Sequence, residues 1–235
     1  MILKLPSLEK LLYDFTHLPL GDKKIRCPYW KNKIEKKVFG PCGGKGSPLQ
    51  IIEATREEAQ NIKINLDHLS KSEILELMQN KKIGIDCSGF VYQMLDVLDK
   101  EKGGEGIVKK VIGLGGQGIT KTNVQCLTDN INSLPVLKIK DIKIGDLLRL
   151  KNGKHLAIII RIKKKGKRIV ELTYAHSSNA TQISGVHTAK IKIKNSNGSI
   201  KKQIWPEKLQ DKTLFVKKYF NPHTGDGIRR PRWSK

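Results

Sequence analysis

Cys87 is the residue whose type and position best suit covalent chemistry. It belongs to the hexapeptide DCSGFV at 86–91, where apolar side chains begin to recur with helical spacing. Asp86 is a good N-cap residue, so the sequence predicts a helix over 87–100 with Cys87 in its first turn. Unpaired backbone N–H groups and the helix dipole favour a thiolate there. We therefore expect a thiol that ionises readily and attacks carbonyls, with Gly89 keeping one face of the turn open.

Two of the six histidines occupy positions that suit a base for this thiol. Three segments have the composition of strands joined by turns at 151–154 and 163–167: 145–150, 155–162 and 169–176. His155 opens the second strand and His176 closes the third. In an antiparallel hairpin these two ends meet at one edge of the sheet. The pattern predicts a nucleophile, a base and an orienting residue, and it outweighs the alternative that Cys87 is an inert core residue.

Four motifs together resemble the NlpC/P60 family of cysteine peptidases. In the order in which the family carries them, they are DCSGFV at 86–91, GDLL at 145–148, HLAI at 155–158 and AHSS at 175–178. The resemblance covers roughly residues 25 to 190. It implies an α+β, papain-like fold in which the nucleophile helix packs on a central antiparallel β-sheet.

The resemblance also implies a role for each motif residue. Cys87 corresponds to the nucleophile, His155 to the general base and then general acid, and His176 to the group that orients His155. The implied reaction is hydrolysis of an amide bond in peptidoglycan stem peptides through a thioester acyl-enzyme. The backbone N–H of Cys87 would face the developing oxyanion.

Residues around the nucleophile complete the predicted site. The family tends to carry a tyrosine before the nucleophile that polarises the scissile carbonyl, and Tyr29 is the matching candidate. The glycine pair that follows this tyrosine in the family lies well downstream here, at 43–44, and a packing role is the alternative for the tyrosine. Asp86, Ser88 and Gly89 are the candidate substrate-binding residues.

The length of 235 residues suits one domain with extensions. An amphipathic helix is predicted over 1–18, docked on a catalytic domain at 19–220, and a basic tail at 221–235. Two insertions are predicted within the domain: a charged stretch at 50–82 and a glycine-rich loop at 103–118 near the cleft. A monomer is expected.

The sequence predicts neither a membrane span nor a secretory signal. No stretch approaches the roughly 18 apolar residues of a span, and the N-terminus lacks an unbroken apolar region and a small-residue cleavage site. Because the implied substrate lies outside the cytoplasm, the resemblance implies an extracellular or cell-envelope protein. A cytoplasmic location is the alternative.

The net charge of +23 arises from 45 lysines and arginines against 22 acidic residues. Such a charge steers a protein towards polyanions. Cell-wall polymer is one such partner and nucleic acid is another, while a compositional bias without any binding role is the alternative. No zinc finger, RNA-binding aromatic signature or recognition helix accompanies the charge, so specific base readout is not expected.

The other cysteines and histidines predict neither a metal site nor a cofactor. No CxxC pair or zinc-site spacing occurs among the four cysteines. Cys27 and Cys42 could form a disulfide in an exported protein, although two free thiols are favoured. The glycine-rich stretches at 40–46 and 113–118 lack the features of nucleotide loops and are interpreted as a cleft wall and a mobile loop. Surface or packing roles are expected for the remaining histidines: His17, His68, His187 and His223.

Two other functions stay open. The same fold could act as a thiol amidase or acyltransferase on another substrate. The chain could also be a non-catalytic basic module that binds cell-wall polymer or nucleic acid, which the set of Cys87, His155 and His176 argues against.

Overall fold

The structure is a computed structural model that describes residues 1–114 and 117–233. Its strands are β1 (Ile2–Lys4), β2 (Leu18–Leu20), β3 (Lys23–Ile25), β4 (Ser133–Pro135), β5 (Leu147–Leu150), β6 (His155–Lys165), β7 (Arg168–Ser178), β8 (Gly185–Lys192) and β9 (Gly227–Pro231). Its α-helices are α1 (Pro6–Thr16), α2 (Pro48–Asn61), α3 (Lys71–Asn80), α4 (Cys87–Glu101), α5 (Val124–Thr128) and α6 (Phe215–Tyr219). Within the described ranges, no helix is both long and apolar enough to span a bilayer.

Seven of the strands in the described ranges form one antiparallel sheet. The strand order is β4, β9, β5, β6, β7 and β8. On the side of β6 away from β7, β5 pairs with residues 155–158 and β1 pairs with residues 161–163. β2 and β3 form a separate hairpin. The architecture is therefore mixed α and β around an antiparallel sheet, which is compatible with the predicted α+β class.

Alternation along β6 gives this sheet two buried faces. Residues 156, 158 and 160 pack with α1 and α4 in one core, whereas 157 and 159 pack on the opposite face. The segment 205–220 covers that second face and buries Trp205 and Phe215 there. Helices α1 and α4 on one face, and the segment 205–220 with the short helix α6 on the other, thus enclose the sheet.

Helix α4 confirms the prediction over 87–100. The Asp86 carboxylate accepts the N–H of Gly89 at 2.7 Å, an N-cap bond whose loss typically costs about 1 kcal/mol. Phe90 meets Phe15 of α1 edge to face, with ring centroids 5.5 Å apart. The apolar stripe read from the sequence is buried: Phe90, Val91, Met94, Leu95 and Leu98.

The three predicted strands are confirmed as β5, β6 and β7, but the turn predicted at 163–167 is shorter, since only residues 166–167 lie between β6 and β7. β6 and β7 continue as far as the pair of Lys165 with Arg168. The reason is non-local, because β1 pairs with residues 161–163 of β6 from the other side. Lys163 and Lys164 therefore have backbone partners on both sides.

Both ends of the chain belong to the sheet, which corrects two predictions. Within 1–18, the first residues form β1 and the helix starts only at Pro6, because proline suits the first helical turn but cannot donate to a ladder. Within the predicted tail at 221–235, β9 lies between β4 and β5. Arg230 of β9 also pairs with the buried carboxylate of Asp146 at 2.7 Å. Residues 227–231 are therefore not a tail.

The stretch at 50–82 folds largely as α2 and α3. Each helix begins with a capping box, in which Ser47 and Gln50, or Ser70 and Glu73, exchange side-chain and backbone hydrogen bonds. These serine-x-x-glutamine and serine-x-x-glutamate patterns were readable signals of two helix starts.

The glycine-rich segment at 103–118 is anchored on α4 in its first part. The carboxylates of Asp99 and Asp96 accept the N–H groups of Gly106 at 3.0 Å and Ile107 at 2.9 Å. The mobile loop predicted at 113–118 includes Gly115 and Gly116, which lie outside the described residues.

Candidate active site

Cys87 opens α4 at the end of the sheet where β6 begins. Its side chain is 6% exposed, and the backbone N–H of Leu156 faces the sulfur. The ring of His155 contacts Phe215 on the face of the sheet opposite to α4. The thiol therefore lies beside Leu156, the residue that follows His155, whereas the His155 ring lies on the other face of the sheet. Among the described residues no hydrogen bond joins the Cys87 thiol to His155.

Asp86, Ser88 and Gly89 fix the start of α4. Lys45 donates to the Asp86 carboxylate at 2.8 Å, and the Ser88 hydroxyl donates to the same carboxylate at 2.9 Å. A Cβ on Gly89 would lie 2.8 Å from the carbonyl oxygen of Gly44, so the expectation of an open face at Gly89 is wrong. All three residues are buried, and the side-chain bonds of Asp86 and Ser88 are internal. These contacts hold the start of α4 and thereby position Cys87. Because the three residues are buried, they do not form the substrate-binding surface that was predicted.

Burial, followed by the Asp86 carboxylate, raises the pKa of Cys87 to about 11. The N–H of Leu156 and the ammonium groups of Lys45 and Lys31 favour the thiolate without offsetting burial. The expectation of a readily ionised thiol is therefore wrong. The cost of removing a thiolate from water is larger than the stabilisation that the start of the helix gives to its negative charge. As a nucleophile, Cys87 would need a base that takes its proton during attack.

Backbone donors are present beside the thiol. The N–H of Gly89 goes to the Asp86 side chain and that of Phe90 to the Asp86 carbonyl at 3.0 Å. Within the part of the chain that the structure describes, the N–H groups of Cys87 and Ser88 have no acceptor. Free N–H groups at a helix start favour negative charge, so they can stabilise an oxyanion.

His155 and His176 are joined by a hydrogen bond of 2.7 Å between Nε2 of His155 and Nδ1 of His176. The other nitrogen of His176, Nε2, lies 2.9 Å from Oε1 of Glu207. The two rings are 5% and 0% exposed, and the Glu207 side chain is 6% exposed. The structure thus brings the two predicted histidines together and adds a carboxylate that the sequence did not indicate.

The Glu207 carboxylate determines where the protons of this series lie. Although burial opposes ionisation, the charge that His176 would carry as an imidazolium and the hydrogen bonds with His176, His187 and Tyr174 hold the pKa of Glu207 well below its usual range. A carboxylate only accepts, so His176 donates from Nε2 and its Nδ1 is an acceptor in the neutral ring. His155 then donates from Nε2 to His176. A neutral His155 is left with its lone pair on Nδ1, which can therefore accept a proton.

Aromatic side chains keep His155 out of water. The Phe215 and Tyr219 rings stand edge-on to it at centroid distances of 6.0 and 5.4 Å. Burial, assisted by His176, lowers the pKa of His155 well below 6.5. Burial lowers the pKa of His176 as well. The raised pKa of Cys87 and the lowered pKa of His155 therefore favour a thiol and a neutral imidazole at neutral pH, not a thiolate and an imidazolium.

Tyr29 lies beside the nucleophile candidate. Burial raises the pKa of its hydroxyl, and the nearby Cys87 and Asp86 add to that shift. Its backbone bridges to Ile85, two residues before Cys87. The hydroxyl stays protonated and can donate, as a group that polarises a carbonyl must; that role itself stays a prediction.

His187 is part of this network, which corrects its assignment to a surface or packing role. It stands opposite His176 in the register of β7 and β8, and its Nε2 lies 2.9 Å from both His176 Nε2 and Glu207 Oε1. The residues His176, His187 and Glu207 together could hold a metal ion. The register of β7 and β8 could have suggested His187, which pairs with His176. Glu207 belongs to no motif in the sequence, and only the tertiary fold brings it to the site.

The glycine-rich stretch at 40–46 lines a cavity of about 660 Å³ with residues of α2. Lys45 belongs to that wall and also pairs with Asp86, so the cavity adjoins the start of α4. The stretch thus lines a cavity beside α4, and its role as a wall of the substrate cleft stays a prediction. The thiols of Cys27 and Cys42 are free, as favoured from the sequence.

Comparison of this chain with family models, with curated proteins and with solved structures gives no match. Function is therefore inferred from the site geometry and from the resemblance of the motifs.

Proposed function

We propose that this protein is a cysteine-dependent hydrolase that cleaves an amide bond through a thioester on Cys87. The observation that carries the proposal is the hydrogen-bonded series from Glu207 through His176 to His155. This series leaves the lone pair of His155 on Nδ1. His155 is the first residue of β6, and the N–H of the next residue, Leu156, faces the Cys87 thiol. The finer fold assignment that we propose is the papain-like NlpC/P60 fold.

In the proposed reaction, His155 Nδ1 takes the thiol proton while the sulfur of Cys87 bonds to the carbonyl carbon. The carbonyl π electrons move to oxygen, near the N–H of Cys87 and the hydroxyl of Tyr29. The imidazolium then gives its proton to the leaving amine as the C–N bond breaks, and a thioester remains. Water next loses a proton to His155 and attacks the thioester, which releases a carboxylic acid and regenerates the thiol.

The proposed substrate is a peptidoglycan stem peptide in the cell envelope or outside the cell. The resemblance of the motifs supports this choice, and so does the charge near the site. The ammonium group of Lys31 lowers the pKa of Cys87. Lys151 Nζ lies 4.7 Å from the centre of the Tyr219 ring, which contacts His155. Ammonium groups at these places suit the carboxylates of a stem peptide.

The test is mass spectrometry of muropeptides of several stem chemistries after incubation with wild-type protein, Cys87→Ala and Cys27→Ala. We expect new fragments with the wild type and Cys27→Ala and none with Cys87→Ala. A second set of reactions contains an added amine, and amide products there would identify an acyltransferase. Salt-sensitive binding of polymer by wild type and Cys87→Ala, with no products from either, would contradict the hydrolase and favour a binding module.

A further inference from the structure

A second chemical centre lies at the inner end of the histidine series. His176 Nε2, His187 Nε2 and Glu207 Oε1 lie 2.9 Å from one another. Nδ1 of His187 faces the carbonyl oxygen of Gly185 at 2.9 Å and donates to it. In a neutral ring Nε2 is then an acceptor, facing the acceptor oxygen of Glu207. Two acceptors this close need a positive charge between them, supplied by an added proton or by a metal ion.

We propose that these three atoms bind a divalent first-row transition-metal ion such as Zn²⁺. Two imidazole nitrogens and one carboxylate oxygen form a ligand set that such ions favour. An ion about 2.1 Å from each of three atoms that are 2.9 Å apart holds them at about 90° to one another. That angle corresponds to three positions on one face of an octahedron.

Each ligand is oriented by a further hydrogen bond, as metal ligands usually are. His187 donates from Nδ1 to Gly185. The second carboxylate oxygen of Glu207 accepts the hydroxyl of Tyr174. Burial raises the pKa of that tyrosine well above its usual range, so it stays a donor. The remaining nitrogen of His176 bonds to the ring of the proposed base.

The surroundings leave room for other ligands of the ion. A cavity of about 260 Å³ borders His187, Glu207 and Thr181. The Thr181 hydroxyl lies 3.4 Å from His187 Nε2. Water in this cavity can complete the coordination, and the cavity gives the ion a path from solvent.

Metal binding would reverse the hydrogen bond that creates the base, a consequence that rests on the proposed function. When Nε2 of His176 coordinates the ion, the proton of the neutral ring lies on Nδ1 and is donated to His155 Nε2. The proton of neutral His155 then lies on Nδ1, towards the thiol. His155 no longer accepts a proton from Cys87, so the metal switches hydrolysis off.

Binding is tested by calorimetric titration of Zn²⁺ into chelator-treated Cys87→Ala, which excludes coordination by that thiol. We expect one equivalent to bind, and more than tenfold weaker binding after adding either His187→Gln or Glu207→Gln. His223→Gln, an exposed histidine outside the site, is the matched control. Circular dichroism of each variant checks that it is folded.

Absence of Zn²⁺ binding would overturn the proposal. So would folded His187→Gln and Glu207→Gln variants that bind Zn²⁺ as tightly as Cys87→Ala alone. In either case an added proton would be the positive charge between His187 and Glu207. The switch is tested separately by inhibition of wild-type hydrolysis with Zn²⁺. Metal binding by a protein without hydrolase activity would contradict the proposed function alone. Hydrolysis without metal binding would contradict this inference alone.

Discussion

Cys27 and Cys87 are two buried thiols in different surroundings. Cys27 is 0% exposed and its thiol donates weakly to the Pro28 carbonyl at 3.5 Å. Cys87 is 6% exposed and has the Leu156 N–H and lysine ammonium groups around its sulfur. Burial is the largest cause that raises the pKa of both thiols. Burial therefore does not separate an inert thiol from a nucleophile. A backbone donor does not separate them either, because the N–H of Ile85 faces the sulfur of Cys27 as that of Leu156 faces Cys87; the ammonium groups that favour a Cys87 thiolate, and the proposed base, do.

The backbone hydrogen bonds of Cys27 and Cys87 also differ. The N–H of Cys27 bonds to Phe15 at 2.8 Å and its carbonyl accepts from Val186 at 3.0 Å, so the residue ties two parts of the fold together. The N–H of Cys87 has no acceptor within the described residues. One site is closed and structural, whereas the other has unused donors at a helix start.

The largest expected effect separates the two cysteines directly. Cys87→Ala should lower kcat/KM for a cleaved muropeptide by at least about 10³-fold, because it removes the nucleophile. Cys27→Ala should stay within about threefold of wild type, since it removes only a small buried group. Rates measured under identical conditions check this, and equal losses in both variants would contradict the distinction.

The next effect concerns the base of Cys87. Glu207→Gln should lower kcat by about 10²-fold or more, since an amide no longer forces His176 to donate from Nε2 and the lone pair of His155 is no longer held on Nδ1. Glu171→Gln, which alters a carboxylate paired with Lys190 on the adjoining strands, is the matched control. Unchanged kcat in Glu207→Gln would remove the carboxylate from the mechanism.

Local patterns account for what the sequence predicted correctly. Helix α4, its Asp86 cap and the strands that carry His155 and His176 follow from periodicity and turn composition. Pairings far apart in the chain were not predictable in this way, as β1, β9 and the contact of Glu207 show. The ionisation of Cys87 was predicted wrongly because burial is a tertiary property, whereas the helix start is a local one.

A smaller effect distinguishes the thiols by their pH dependence. Because the pKa of Cys87 is raised to about 11, its alkylation by iodoacetamide should increase about tenfold per pH unit between about pH 7 and pH 9, without a plateau. Cys27 should remain largely unmodified in the folded protein because it is fully buried. Peptide mass mapping after timed labelling measures both. A plateau for Cys87 near neutral pH would indicate a stable thiolate and imidazolium.

The smallest effect is on stability in acid. Unfolded histidines bind protons near pH 6.5, whereas the folded pKa values of His155 and His176 are lowered, so the unfolded state binds more protons as the pH falls below that value. Stability should then decline by up to about 1.4 kcal/mol per pH unit for each group. Glu207 adds to this loss below pH 4.5, since its folded pKa is also lowered.

Urea denaturation as a function of pH measures this decline. His176→Gln should reduce the slope, whereas His223→Gln, which is exposed, should retain it. A stability that does not change between about pH 7 and pH 5 would contradict the neutral, buried state of the two rings.

The central claim is that His155 is neutral and carries its proton on Nε2, which leaves Nδ1 free for Cys87. Long-range ¹H–¹⁵N NMR of the histidine rings in metal-free wild-type protein tests it directly, with His155→Gln used for assignment. We expect Nε2–H tautomers for both His155 and His176 at neutral pH. A proton on Nδ1 of His155, or an imidazolium ring at this position, would contradict it.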